Sequence, residues 1–231
     1  LPRSNPPKKA VRPPLNARDY HPGMEQIRVS SFTTSENRQN DHSTPIDQAA
    51  GSTGGRRGKG GDLLFRYGNP AAYVRGSEKD RLFRHQHDAN WVDEGLPGAG
   101  NILVFNNNTG TGGIARVSTG AAEAAVAQEQ LKGISNVHEI SPTVDNGRYV
   151  IGKAGTFEAK QIWFWKHEDF FAPFQGGARR LANGNTLLTD TVGRRVWEVA
   201  PDGDVVVCYK GPAPTFKAFK YAVEQVADLL E

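Results

Sequence analysis

The chain has 231 residues, with 28 basic and 25 acidic side chains and a mean hydropathy of -0.56. A formal charge of +3 is too small an excess to define a nucleic-acid-binding domain, and no apolar run is long enough for a membrane-spanning helix. The single cysteine, Cys208, excludes an internal disulfide and, inside an apolar strand pattern, reads as a small buried hydrophobe.

In chain order, residues 1–19 are rich in proline and basic side chains and are expected to form a disordered or truncated N-terminal segment. No signal-peptide pattern stands at the start, and the chain opens on Leu1 rather than Met, so an upstream part is expected to have been lost. Ile27 and Val29 alternate within Gln26 to Ser30 and predict a short strand after the turn His21-Pro22-Gly23. Strand signals then lapse from Thr33 to Asp47. A glycine-rich loop from Gly51 to Gly61 leads into a strand over Asp62 to Tyr67.

Charged, turn-rich sequence from Pro70 to Arg84 precedes two strands, Asn90 to Val92 and Asn101 to Phe105, joined by a turn over Glu94 to Gly100. Asn106 to Gly113 reads as loop, and Ala121 to Leu131 is rich enough in Ala, Glu and Gln to predict a short inserted helix. Further strands are expected at Val137 to Pro142, Gln161 to Trp165, Phe174 to Leu181, Asn185 to Thr189, Arg195 to Ala200 and Asp204 to Tyr209. Gly203 supplies the positive φ for the last hairpin turn. In the tail, Phe216, Phe219, Val223, Val226 and Leu230 fall at helical intervals and predict an amphipathic C-terminal helix over 213–231.

One phrase occurs twice and decides the architecture. Gly100-Asn101-Ile102-Leu103 returns as Gly184-Asn185-Thr186-Leu187, and Val137-His138-Glu139-Ile140-Ser141-Pro142 returns as Val196-Trp197-Glu198-Val199-Ala200-Pro201. Repeats of this kind indicate propellers, solenoids or arrays. The compact copy gives four antiparallel strands, so the expected fold is all-β. It is a partial β-propeller over 20–212, with two clear four-stranded blades and a worn third around Asp62 to Tyr67. Open blade edges would aggregate or pair, so if the ring is incomplete a homo-oligomer is one expected state.

Arg84-His85-Gln86-His87-Asp88 is the sharpest chemical motif. On a strand His85 and His87 would share one face and Gln86 and Asp88 the other. An imidazole facing a central channel can serve as nucleophile, acid or base near neutral pH. A His-x-His metal pair and a histidine merely hydrogen-bonded in a blade core are the competing readings, and the sequence offers no Cys/His cluster to complete a metal site. His42, in Asp41-His42-Ser43-Thr44, is a second candidate, although turn capping by Asp41 and Ser43 suits the same residues. Arg179-Arg180 precedes the second Gly-Asn phrase, where an arginine could aim its planar donors at an anion. Gly58-Lys59 imitates the end of a nucleotide-binding loop, but Gly60 stands where Ser or Thr is needed; Arg56, Arg57 and Lys59 could attract an anion by charge alone.

Several joined motifs together resemble the arylsulfotransferase family: Asp41-His42-Ser43-Thr44, Gly58-Lys59-Gly60-Gly61-Asp62-Leu63-Leu64-Phe65-Arg66-Tyr67-Gly68-Asn69-Pro70, Gln86-His87-Asp88-Ala89 and Glu94 to Phe105, with Arg180 to Leu187 and Val196 to Gly203 fitting its closing blades. The likeness extends from about Asn16 to about Tyr221. It implies a six-bladed propeller, of which about three blades lie in this chain, and a periplasmic or exported enzyme. That enzyme moves a sulfuryl group from an aryl sulfate to a phenol through a sulfated histidine, with no nucleotide cofactor. By resemblance His87 is the nucleophile or sulfate-contacting base, with His42 and Arg180 as supporting groups. Pro14-Leu15-Asn16 stands where relatives carry an additional histidine, and Ser52 where they tend to carry another. The alternative expectation is therefore a truncated or degenerate, non-catalytic propeller acting as a binding or scaffold module.

Overall fold

The computed structural model describes residues 15–109, 135–221 and 223–226. They form an all-β structure built on three antiparallel sheets of four strands. The first contains β1 (Leu15–His21), β2 (Gln26–Ser31), β3 (Glu36–Asp41) and β4 (Leu63–Tyr67). The second holds β5 (His87–Trp91), β6 (Ile102–Asn106), β7 (Asn136–Pro142) and, beyond a two-stranded hairpin of β8 (Val144–Asp145) and β9 (Arg148–Tyr149), β10 (Ala159–Trp165). The third runs through β11 (Gly177–Arg180), β12 (Thr186–Asp190), β13 (Arg195–Val199) and β14 (Val205–Lys210). The first strands of the sheets are neighbours, β1 beside β5 and β5 beside β11.

β6 shows why the sheets stack. Its residues Ile102 to Phe105 are all fully buried because both faces are covered. Leu103 and Phe105 join Trp165, Phe170, Leu188 and Trp197 between the second and third sheets. Ile102 and Val104 point the other way and, with Trp91 and Ile140 of their own sheet, meet Phe65 of the first sheet and Phe83. A period of two thus turns one continuous apolar run into two cores, and each fully buried large side chain contributes about 1.5–3 kcal/mol.

The repeated Gly-Asn phrase has a structural cause. Asn101 Nδ2 donates to Glu139 Oε1 at 2.6 Å, and Asn185 Nδ2 donates to Glu198 Oε1 at 2.8 Å. In both sheets the asparagine entering the second strand therefore holds a glutamate on the third. Each glutamate also takes a cation from the next segment of chain: Glu139 pairs with Arg180, and Glu198 with Lys220.

Several expectations are corrected. Leu15 to Asp19, expected outside the sheet, are the first residues of β1. β3, Glu-Asn-Arg-Gln-Asn-Asp, is a strand although it lacks any apolar residue. Its inward positions face polar partners across the ladder, Ser30 opposite Asn37, Arg28 opposite Gln39 and Gln26 opposite Asp41. All of these but Asp41 are fully buried. Backbone pairing on both sides sustains the strand where side-chain apolarity does not. Arg28 lies 4.0 Å from the Trp91 ring, and burial lowers its pKa to about 9.

The C-terminal helix is absent from the described tail, which has only a short 3-10 turn at Val223–Gln225. The stretch from Thr215 to Lys220 is instead tied down by polar contacts. Thr191 Oγ1 donates to the Thr215 carbonyl at 3.0 Å, the Ala218 amide donates to Thr189 Oγ1 at 2.9 Å, and Lys217 and Lys220 reach Asp88 and Glu198. Phe216 and Phe219, expected to pack inward, are exposed. Cys208 is exposed as well, because β14 is an edge strand that the described residues cover only in part. The helix expected at Ala121 to Leu131 lies outside the described residues. No helix among them is long and apolar enough to cross a membrane.

Candidate active site

The start of β5 is where chemistry-bearing side chains gather. The backbone there is irregular: His85 and Asp88 both have positive φ, 56° and 46°, and the register with β6 slips between His87 and Asn90. This re-aims the motif, so Gln86 and Asp88 do not share a face as expected. Gln86 turns to the first sheet, where its Nε2 donates to Ser30 Oγ and to the Ser31 and Glu36 carbonyls. Asp88 turns to the third, accepting from the Ala178 amide at 3.1 Å.

His85 and His87 both lie against Phe32, in the turn between β2 and β3. His85 stacks on that ring at 4.7 Å and His87 meets it edge-on at 6.1 Å. His87 Nδ1 is 2.7 Å from Asn107 Oδ1 and 3.1 Å from the His85 carbonyl. Asn107 is fully buried, and its Nδ2 donates to the carbonyls of Ala172 and Gln175, both at 2.7 Å. Those two carbonyls fix which way the amide points. Its oxygen must face the imidazole, so Nδ1 carries the proton and Nε2 carries the lone pair. Burial lowers the His87 pKa below the usual histidine value, outweighing the hydrogen bond that the ring donates to Asn107, and the ring is neutral at pH 7. His87 Nε2 has no hydrogen-bond partner among the described residues.

His85 repeats the pattern less deeply. Its Nδ1 contacts the Thr109 carbonyl at 3.1 Å and Thr109 Oγ1 at 2.9 Å, and burial lowers its pKa, with Arg81 and Arg84 adding smaller effects of the same sign. On the other side of His87, Asp88 binds Arg179 at 3.1 Å and Lys217 at 2.5 Å. Two partly exposed cations are thereby held on the carboxylate that follows His87 in sequence, and the Lys217 charge is felt at the imidazole.

Of the three residues assigned by resemblance, His87, His42 and Arg180, only His87 is at this cluster. β2 and β3 pair from Ser31 opposite Glu36 at one end to Gln26 opposite Asp41 at the other. Phe32 follows the first end and His42 the second, a strand length of roughly 20 Å away at about 3.4 Å per residue. His42 is exposed and packs edge-on against Tyr20 at 5.1 Å. Arg180 is at the far end of β11 from Asp88, nearly buried, paired with Glu139 and donating to the Gly184 carbonyl at 2.7 Å. It clamps two sheets, and its neighbour Arg179 is the arginine that reaches Asp88, next in sequence to His87. Asn107, Thr109 and Lys217 were missed as site residues, and of the Arg179-Arg180 pair the sequence reading settled on Arg180; the run Asn106-Asn107-Asn108 immediately after an apolar strand was the signal for Asn107. Among the described residues no group of three or more His, Cys, Asp or Glu side chains could hold a metal ion.

No protein-family model and no curated protein matches the chain. Among solved structures, a protein of unknown function from Bacteroides caccae is similar with a TM-score of 0.40 and 13% identity, over 91% of this chain and 50% of that one. This chain therefore spans half the length of that relative. A luciferin-regenerating enzyme is similar with a TM-score of 0.29 and 10% identity, over 87% of this chain and 77% of its own.

Proposed function

We propose that the three sheets are blades of a propeller of the arylsulfotransferase type, and that the protein transfers a sulfuryl group from an aryl sulfate to a phenol through His87. The observation that carries this is the imidazole whose Nδ1 proton is committed to an oriented Asn107, leaving Nε2 neutral and unpartnered among the described residues. In the first step Nε2 attacks sulfur, the sulfur–oxygen bond to the ring breaks, and the phenolate leaves. The imidazole then bears a positive charge, which Asn107 Oδ1 stabilises through the Nδ1 proton. Arg179 and Lys217 balance the sulfonate oxygens. In the second step the acceptor phenol oxygen attacks the same sulfur, its proton passes to solvent and neutral His87 returns. Residence in the periplasm or outside the cell belongs to the same proposal.

Intact-mass spectrometry after exposure to 4-nitrophenyl sulfate tests it. A gain of one sulfuryl group, absent in His87→Ala and unchanged in His42→Ala, is expected. Retention of the adduct in His87→Ala would overturn His87 as the nucleophile. The distance of His42 and the engagement of Arg180 with Glu139 favour a second reading, a non-catalytic binding or scaffold module. In that case the unsubstituted protein forms no adduct.

A further inference from the structure

A second concentration of positive charge lies elsewhere in the fold. Between the glycine-rich loop and the β8–β9 hairpin is a pocket of about 510 Å³, and no carboxylate among the described residues lines it. Arg57, Lys59 and Arg148 stand on its rim, and Leu64, Tyr149 and Phe157 supply apolar and aromatic wall. Phe65 backs the two rings, 5.0 Å from Tyr149 and 5.4 Å from Phe157.

The cations are held in different ways. Arg57 is fixed: its amide donates to Asp41 Oδ2 at 3.0 Å and its Nη1 donates to the Gly147 carbonyl at 3.1 Å, while its buried Nε has no partner among the described residues. Lys59 and Arg148 are exposed and make no ion pair with any described residue. Arg56, also at the pocket, is drawn off by Glu25 at 2.5 Å. Behind the wall, Tyr149 OH donates to Gln26 Oε1 at 2.7 Å, and Gln26 is next but one to the fully buried Arg28. All three guanidinium nitrogens of Arg28 lack a hydrogen-bond partner among the described residues. Its charge therefore adds to the positive potential at Tyr149 through poorly screening protein.

Fixed and mobile cations around an apolar wall suit one kind of ligand. The charge requires an anion, the planar arginine donors suit tetrahedral or planar oxyanions, and the rings reward an apolar body beside the charge. We propose that this pocket binds a small organic oxyanion, a sulfate or phosphate group carried on a ring or short apolar chain. The site is separate from the His85–His87 cluster: Asp41, which holds Arg57, is at the opposite end of β3 from the turn that carries Phe32. It is independent of whether His87 transfers sulfuryl groups.

Calorimetric titration of 4-nitrophenyl sulfate and phenyl phosphate into the His87→Ala protein tests the proposal, because that background removes covalent transfer. Saturable binding of each at one site is expected, weakened at least tenfold by Lys59→Ala with Arg148→Ala, and weaker for inorganic sulfate and for neutral phenol. Both substituted side chains are exposed, so the fold should be retained, and circular dichroism verifies it. Equal affinity in the double variant, absence of saturable binding, or saturable binding to the unsubstituted protein that disappears on His87→Ala alone would each overturn the proposal.

Discussion

Asp190 offers a stability experiment with a defined sign. Its side chain, at the end of β12, is 1% exposed; Oδ1 accepts from the Gly193 amide at 2.8 Å and Arg195 pairs with it across the ladder. Burial outweighs both favourable contacts and raises the carboxyl from 3.8 to about 6. At about 1.4 kcal/mol per tenfold change, ionising it in the fold costs roughly 3 kcal/mol more than in an open chain. A carboxyl whose folded pKa is raised contributes stability that is complete below the unfolded value and lost as pH rises through the folded one. The window is therefore about pH 4 to 6. Asp190→Asn keeps the acceptor for Gly193 and removes the charge. Urea denaturation should show the variant more stable by up to about 3 kcal/mol at pH 7, with the advantage vanishing near pH 4. A variant that is less stable at pH 7, or an advantage that does not change with pH, would refute desolvation as the cause.

Arg28→Met should raise stability by about 1–4 kcal/mol, since the guanidinium is fully buried without hydrogen-bond partners among the described residues and its stem can be replaced over Trp91; thermal melting measures this, and a loss above about 1 kcal/mol would contradict it. Glu139→Gln should cost about 3–5 kcal/mol by leaving Arg180 charged and buried, which urea titration reads directly. Cys208 should react completely with a thiol reagent in the native protein, slowly at pH 7 because burial raises its pKa, and faster as pH rises; protection until unfolding would return it to the core.

The parts of the fold legible in the sequence were those written in apolar period or in turn chemistry. Ile102 to Phe105, Val196 to Val199 and the Gly203 hairpin turn each declare their structure locally. β3 could not be read this way because its information lies in its partners: Asn37 and Gln39 are buried by the sheet they face, not by their own hydrophobicity. The tail failed for the converse reason. Phe216, Phe219 and Val223 imitate a helical stripe, but Lys217 and Lys220 had acidic partners prepared at Asp88 and Glu198, and those anchors hold Thr215 to Lys220 out of a helix with the aromatic side chains outside. His87 was legible as a motif, while Asn107, which sets its tautomer, required knowledge that β6 ends beside β5.

The near balance of 28 basic and 25 acidic residues says nothing about either charged region, because spatial segregation determines the local field. Glu36, Asp88, Glu139 and Glu198 are buried and each is taken up by one or two cations in ion pairs that tie strands or sheets together. With those carboxylates committed, the exposed Lys59 and Arg148 make no ion pair with any described residue, and Arg179 and Lys217 keep partly exposed heads at Asp88, next in sequence to His87. The buried acids therefore secure the architecture, and the cations they leave uncompensated at the rim of the pocket are what give a nearly neutral chain a surface able to select anions.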